Sequence, residues 1–278
     1  MSMRKTGRAE GDGAARAGTR APRRIRYDAV TLSEENGVRY LHFGTEWIQG
    51  AMLLRQPDVL FLEYARQMMA FMLFVPEPAH IAQLGLGAAA LTKFCYRSWP
   101  AARVTAVELN PKVIALAHTM FRLPPDDERL SVLQMNALDY VTDPVHHAGH
   151  DALQVDLYDA QARGPVLDTL EFYRACRACL TPRGMLTVNL FGDHASFPRN
   201  MNALTEAFAG RVLALPEVHQ GNRIALAFNG PVDVAFTELY DRADRLDAAA
   251  SLQARTWVDG LRAVARERLV DGRFVIMP

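Results

Sequence analysis

The sequence predicts an α/β fold: a mainly parallel sheet covered by helices, preceded by a small β unit. Three observations predict it. Strand-like and helix-like segments alternate from about residue 81 onward, the first strand of that region runs into Gly85-Leu86-Gly87, and the next ends on Glu108. Strands alternating with helices of this length form parallel sheets buried on both faces.

Residues 1–26 carry Arg4, Lys5, Arg8, Arg16, Arg20, Arg23, Arg24 and Arg26 against Glu10 and Asp12, with much Gly and Ala. They lack the apolar stretch of a secretory signal and read as a disordered basic tail, with nucleic-acid contact as the lesser alternative. Ala29–Leu32 and Val38–Phe43 are short β-prone runs separated by a segment ending in Asn36-Gly37, a strong hairpin signal. Leu60–Phe74 reads as a helix with little polar face, and Val75-Pro76-Glu77-Pro78 ends it, because two prolines forbid continuation. The expected organisation is a tail over 1–26, a small β unit plus helix over 27–76, and a large α/β domain over 77–278.

Within that domain the pattern predicts strand Ile81–Leu84, helix Ala89–Tyr96, strand Val104–Val107, helix Pro111–Phe121, strand Ser131–Gln134 and strand Ala152–Val155. Helix Thr169–Leu180, a turn at Thr181-Pro182-Arg183-Gly184, strand Met185–Val188, helix Asn200–Ala209 and strand Ile224–Phe228 follow. Glu238–Ala250 and Leu252–Arg268 look helical, with a terminal apolar stretch Phe274–Met277.

Half of the 278 residues are hydrophobic, 22% are charged, and the formal net charge is zero. The body therefore offers no global electrostatic attraction to nucleic acid or an anionic membrane. The longest apolar run, Met68–Val75, falls far short of the about 20 residues that cross a bilayer. Cys95, Cys176 and Cys179, without a signal peptide, suit a reducing cytoplasm. Cys176 and Cys179 have metal-pair spacing, but no second pair completes a four-ligand site, and His146-His147-Ala148-Gly149-His150 is expected to be a solvated loop. No metal is expected.

The chemistry-bearing residues fall at successive strand ends. Gly85 and Gly87 let a backbone turn approach a ligand at the start of the following helix, and Glu108, 23 residues beyond Gly85, is placed to accept from ribose hydroxyls; the alternative is tight strand-to-helix packing at the glycines, with Glu108 capping the helix that begins at Pro111. Dinucleotide sites share this geometry, with Ala90 standing where a third glycine would be. Asn136, followed by Ala137, places an amide where an adenine edge would lie, or caps the next helix; both readings stand. Asp156-Leu157-Tyr158-Asp159 presents two carboxylates beside the crevice expected at the strand ends. A carboxylate there can hold a cationic amine and accept its proton, freeing the nitrogen to attack a carbon next to a sulfonium; the alternative is a pair of loop caps.

In this order the residues resemble the spermidine synthase family, whose pattern runs strand, glycine turn, V-E-x-D, a D-G pair, D-x-x-D and an E-F-Y helix. The corresponding stretches are Gln83-Leu84-Gly85-Leu86-Gly87, Val107-Glu108-Leu109-Asn110, Asn136-Ala137, Asp156-Leu157-Tyr158-Asp159 and Glu171-Phe172-Tyr173, and the likeness spans about Tyr27 to Phe228. The resemblance implies a Rossmann-like S-adenosylmethionine-dependent transferase fold, with a mainly parallel seven-stranded sheet and a small N-terminal β-hairpin domain. It implies a nucleoside sulfonium donor, decarboxylated S-adenosylmethionine, an aminopropyl transfer to a diamine such as putrescine, and a homodimer. It also implies that Glu108 holds the ribose, Asn136 with Ala137 lies near adenine, and Gln49 lies near the donor. Asp156 and Asp159 would meet the amine, Asp156 as general base, with Tyr158 lining the same pocket. Three positions differ from the family pattern. Ala88 stands where its glycine turn has an aspartate, Asn136-Ala137 replaces the D-G pair, and residues 56–64 lack a clean D-E-x-x-Y-H-E. Methyl transfer from S-adenosylmethionine itself, or nucleoside binding without catalysis, are the alternatives these differences raise.

Overall fold

A computed structural model describes residues 27, 29–159, 164–218, 221–265, 267 and 269–277. The expected basic tail, 1–26, lies outside the described residues. β1 (Thr31–Glu35), β2 (Val38–His42) and β3 (Ile48–Leu53) form an antiparallel sheet. Asn36 and Gly37 make the β1–β2 turn with φ of 51° and 79°, the left-handed pair that matches strand twist in a two-residue hairpin. The hairpin thus sits slightly later than expected, and β3 is an added strand that local propensity did not reveal.

Leu60–Phe74 is not one helix. α1 covers Glu63–Gln67 and passes into a 3-10 helix, Met68–Leu73, whose six residues are all buried. Tertiary packing outweighs helical propensity here, and the Met68 carbonyl is taken by Gln154 Nε2 at 3.1 Å.

The central sheet contains β4 (His80–Leu84), β5 (Arg103–Glu108), β6 (Leu130–Gln134), β7 (His150–Val155), β8 (Leu180–Phe191), β9 (Val212–Ala214) and β10 (Asn222–Phe228). Their order is β6-β5-β4-β7-β8-β10-β9, parallel as far as β8, with β10 and β9 antiparallel. The order reverses between β4 and β7, and in open α/β sheets ligands bind in the crevice at that switch point.

α2 (Ala90–Ser98), α3 (Pro111–Met120), α7 (Phe236–Ala250) and α8 (Ala254–Val264) pack with the 3-10 helix on one face. The other face is covered by α4 (Ala137–Thr142), α5 (Leu170–Ala178) and α6 (Phe197–Ala207). The structure refines several further expectations. Thr181–Gly184 is an irregularity inside β8 rather than a separate turn, since His150 pairs with Leu180 and Ala152 with Met185. α8 is shorter than the expected Leu252–Arg268 helix, because Gln253 has φ of 62° and cannot belong to it. The last apolar stretch is strand β13 (Arg273–Ile276), paired with β11 (Val232–Ala235) and β12 (Leu269–Val270). The histidine segment is a solvated loop only in part, since His147 and Ala148 are exposed. His150 is buried and stacks on His80 at 4.4 Å, and His146 stacks on Tyr140 at 3.8 Å.

No helix among the described residues is long and apolar enough to cross a membrane, and no group of three His, Cys, Asp or Glu among them could hold a metal ion.

A buried polar ladder ties the layers together beneath the switch point. Thr92 donates to Gln83 Oε1 (2.6 Å), Gln83 Nε2 donates to Gln154 Oε1 (3.0 Å), and Gln154 donates onward to Met68. Replacing Gln154 by Leu leaves Gln83 Nε2 only the Cys95 sulfur, at 3.4 Å, and removes the side-chain donor to the Met68 carbonyl. We expect a loss of about 1–3 kcal/mol in urea unfolding.

Burial and the neighbouring His150 lower the His80 pKa to about 4. The unfolded chain therefore binds its proton first as pH falls, so stability should decline from about pH 6.5 toward pH 4. The urea midpoint should be lower at pH 4.5 than at pH 7, and His80→Gln should flatten that decline.

Candidate active site

Gly85 follows β4 directly, at φ +96°, and its N–H donates to the Val107 carbonyl (2.9 Å). A Cβ at this position would lie 2.1 Å from the Asp156 carbonyl oxygen, so only glycine lets β4 and β7 end this close together. Gly87 follows at φ +52°, and a Cβ there would meet the Gln49 carbonyl at 3.2 Å. Strand β3 therefore lies against the turn, and Gly50 faces Ala88 so closely that a Cβ on it would stand 2.7 Å from the alanine methyl.

Around this turn the strand ends enclose a cavity of about 540 Å³. Gln49, Gly85, Gly87, Glu108, Asn136, Ala137, Asp156 and Tyr158 all line it. Asp159 does not do so with its side chain; its carbonyl instead accepts from Gln49 Nε2 at 3.1 Å, tying the N-terminal sheet to the loop after β7.

Glu108 accepts from the Leu86 N–H (3.1 Å) and the Asn110 N–H (2.8 Å). Burial pushes its carboxyl above the usual range, and these backbone donors work against that rise. Asn110, not Glu108, caps α3, accepting from Lys112 N at 3.0 Å. Asn136 caps α4 through Leu138 N (2.8 Å) and also faces the cavity, so both readings of its role hold geometrically.

Just beyond β7, Asp156 Oδ1 accepts from Asn189 Nδ2 (2.9 Å) and Oδ2 from the Tyr64 hydroxyl (3.4 Å). Burial raises its pKa, against the lowering effect of those two bonds. Tyr158 donates to the Asn189 carbonyl and accepts from Asn222 Nδ2, each at 3.3 Å. Tyr64, Asn189 and Asn222 escaped sequence reasoning. Tyr64 lies in the 56–64 segment, where the family motif is blurred, and the two asparagines sit in ordinary strand sequence. The cavity lining includes the carboxylates Glu46, Glu108 and Asp156 but, among the described residues, no lysine, arginine or histidine. Such a lining suits a cationic ligand.

No family model matches the chain. Among characterised proteins it is 34% identical over 234 residues to the polyamine aminopropyltransferase of Chromobacterium violaceum, an alignment covering 84% of this chain and 89% of that one. It is 33% identical over 244 residues to the polyamine aminopropyltransferase of Neisseria meningitidis serogroup B, covering 87% and 92%. The chain belongs to the polyamine aminopropyltransferase family. It is therefore a transferase. Among solved structures, a probable spermidine synthase from Corynebacterium glutamicum shares the fold with a TM-score of 0.67 at 21% identity, covering 80% of this chain and 84% of that one.

For this aminopropyltransferase relative, Gly85→Ala should cost both fold and ligand. Gly37→Ala is the control, since it shares a positive φ but meets nothing within 4 Å. We expect Gly85→Ala to lower stability by about 1–3 kcal/mol more than the control in chemical denaturation, and to weaken nucleoside binding in calorimetry.

Proposed function

We propose that this enzyme transfers an aminopropyl group from decarboxylated S-adenosylmethionine to a small diamine of the putrescine type. The observation that carries this reading is a cavity lined by the carboxylates Glu46, Glu108 and Asp156, with no basic side chain among its described lining residues. Both proposed substrates are cations, one a sulfonium and one an ammonium. The relatives in Chromobacterium and Neisseria are named for aminopropyl transfer to polyamines.

In this reading Glu108 receives the ribose hydroxyls, while Gly85, Gly87, Asn136 and Ala137 form the wall along the nucleoside and Gln49 closes it. Asp156 holds the acceptor ammonium and takes its proton. The freed nitrogen lone pair forms the new C–N bond, the C–S bond breaks, and its electron pair returns to sulfur, leaving a neutral thioether. A buried carboxylate with a raised pKa is the better proton acceptor for this step. Asp159 acts through its backbone, and Tyr158 shapes the acceptor end.

Methyl transfer from S-adenosylmethionine is a second reading, favoured by Ala88. That residue is buried against Gly50, so the donor's tail meets no carboxylate at the turn. Calorimetry separates the two: tighter binding of the decarboxylated donor supports aminopropyl transfer, and preference for the carboxylated form overturns it. With putrescine as acceptor, Asp156→Asn should lower kcat by about 10²–10⁴-fold while leaving donor affinity within about threefold. Glu108→Gln should do the reverse, weakening the donor about tenfold or more.

A further inference from the structure

Asn189 sits two residues before the end of β8, and Asn222 is the first residue of β10, opposite Phe191. They are diagonal neighbours on one face of an antiparallel pair, with side chains within reach. Both are buried, at 2% and 8% exposure. Asn222 Nδ2 donates to Asn189 Oδ1 at 2.9 Å, and Asn189 Nδ2 donates to Asp156 Oδ1 at the same distance.

An asparagine amide next to a carboxylate can present either its NH2 or its oxygen, and the surrounding hydrogen bonds decide which. Here the choice traces back to a backbone carbonyl, which can only accept. The Asn189 carbonyl takes the Tyr158 O–H, so the Tyr158 oxygen is free to accept from Asn222. Asn222 must then turn its NH2 inward, where it also meets Asn189 Oδ1, and Asn189 is left presenting its own NH2 to Asp156. Reversing Asn189 would set oxygen against carboxylate and NH2 against NH2.

We propose that Asn222 is a positioning residue, which through Asn189 fixes the direction of the hydrogen bond to Asp156 and so keeps that carboxylate an acceptor for the incoming amine. The role in catalysis rests on the aminopropyl-transfer reading; the hydrogen-bond polarity does not. Among the described residues the groups facing Asp156 are Tyr64 from α1, Tyr158 from its own loop, and the amide of Asn189 from β8; Glu46 and Glu108 line the same cavity from the β2–β3 connection and from β5. None is a cation that could substitute for the lost donor.

The test is the titration of Asp156, read by carboxyl ¹³C NMR in the wild type and in Asn222→Leu, the resonance being assigned by its loss in Asp156→Asn. Without a directed donor the ionised form is less stabilised, so its pKa should rise by about one unit. Asn222→Asp, which accepts only and adds charge, should raise it further. In steady-state kinetics the acid limb of kcat/KM should move up equally, giving roughly tenfold loss below the limb and little loss above it. A merely structural role would lower kcat/KM by the same factor at every pH. An unshifted Asp156 titration in folded Asn222→Leu overturns the proposal. If that variant does not fold, Tyr158→Phe carries the test: a smaller upward shift supports the relay and no shift overturns it. Absence of turnover in the wild type would sink the aminopropyl-transfer reading alone, because the titration needs no turnover.

Discussion

The contact on which the site depends is the one between Gly85 and the Asp156 carbonyl, where no side chain carbon fits. It brings the ends of β4 and β7 together at the point where strand order reverses. That single approach sets the glycine turn and Asp156 side by side. The same tightness recurs one layer out, where Gly50 meets Ala88 and Gly87 meets Gln49. The N-terminal sheet thus forms one wall of the cavity, through Ile48 and Gln49. Beneath it, the Thr92-Gln83-Gln154 ladder gives the buried strands directional bonds where a purely apolar core would only give volume.

Much of this was legible because backbone geometry forces residue type. Asn36-Gly37 announced the hairpin, and Gly85, Glu108, Asn136 and Asp156 marked four successive strand ends in order. Pattern failed where tertiary contacts decide. Met68–Leu73 carries an apolar run that any helix could use, and only its burial under the sheet tightens it into 3-10 form. β3 contains Gly50 and Ala51, poor strand formers, and exists because it pairs with β2 and packs on the glycine turn. His146 and His150 looked solvated because imidazole is polar, yet ring stacking and a Tyr140 hydrogen bond at 2.7 Å satisfy His150 in the interior.

The site itself was half legible. Residues that must be glycine or acidic stood out, whereas Asn189 and Asn222 could not, since an asparagine in a strand has no fixed meaning until its partners are known. For Asp159 the D-x-x-D spacing suggested a second carboxylate beside Asp156; the structure shows its carbonyl accepting from Gln49, while Asp156 presents its carboxylate to Asn189. Spacing in sequence fixes which residues are near, not which atoms they present.

The means of holding Asp156 bears on what the cavity can bind. An arginine in place of Asn189 would hold the carboxylate more firmly through charge-assisted bonds, but it would also cancel the negative charge and repel a sulfonium or ammonium in the same space. Neutral donors from Asn189 and Tyr64 restrain the group while leaving its charge uncompensated. The cost is that burial pushes the pKa up with only hydrogen bonds to resist it. A proton acceptor for an amine can tolerate that cost, since a higher pKa narrows the gap to the ammonium it must deprotonate. The amide-held carboxylate is therefore suited to a step in which a cation arrives, gives up a proton and leaves the site bearing one bond more.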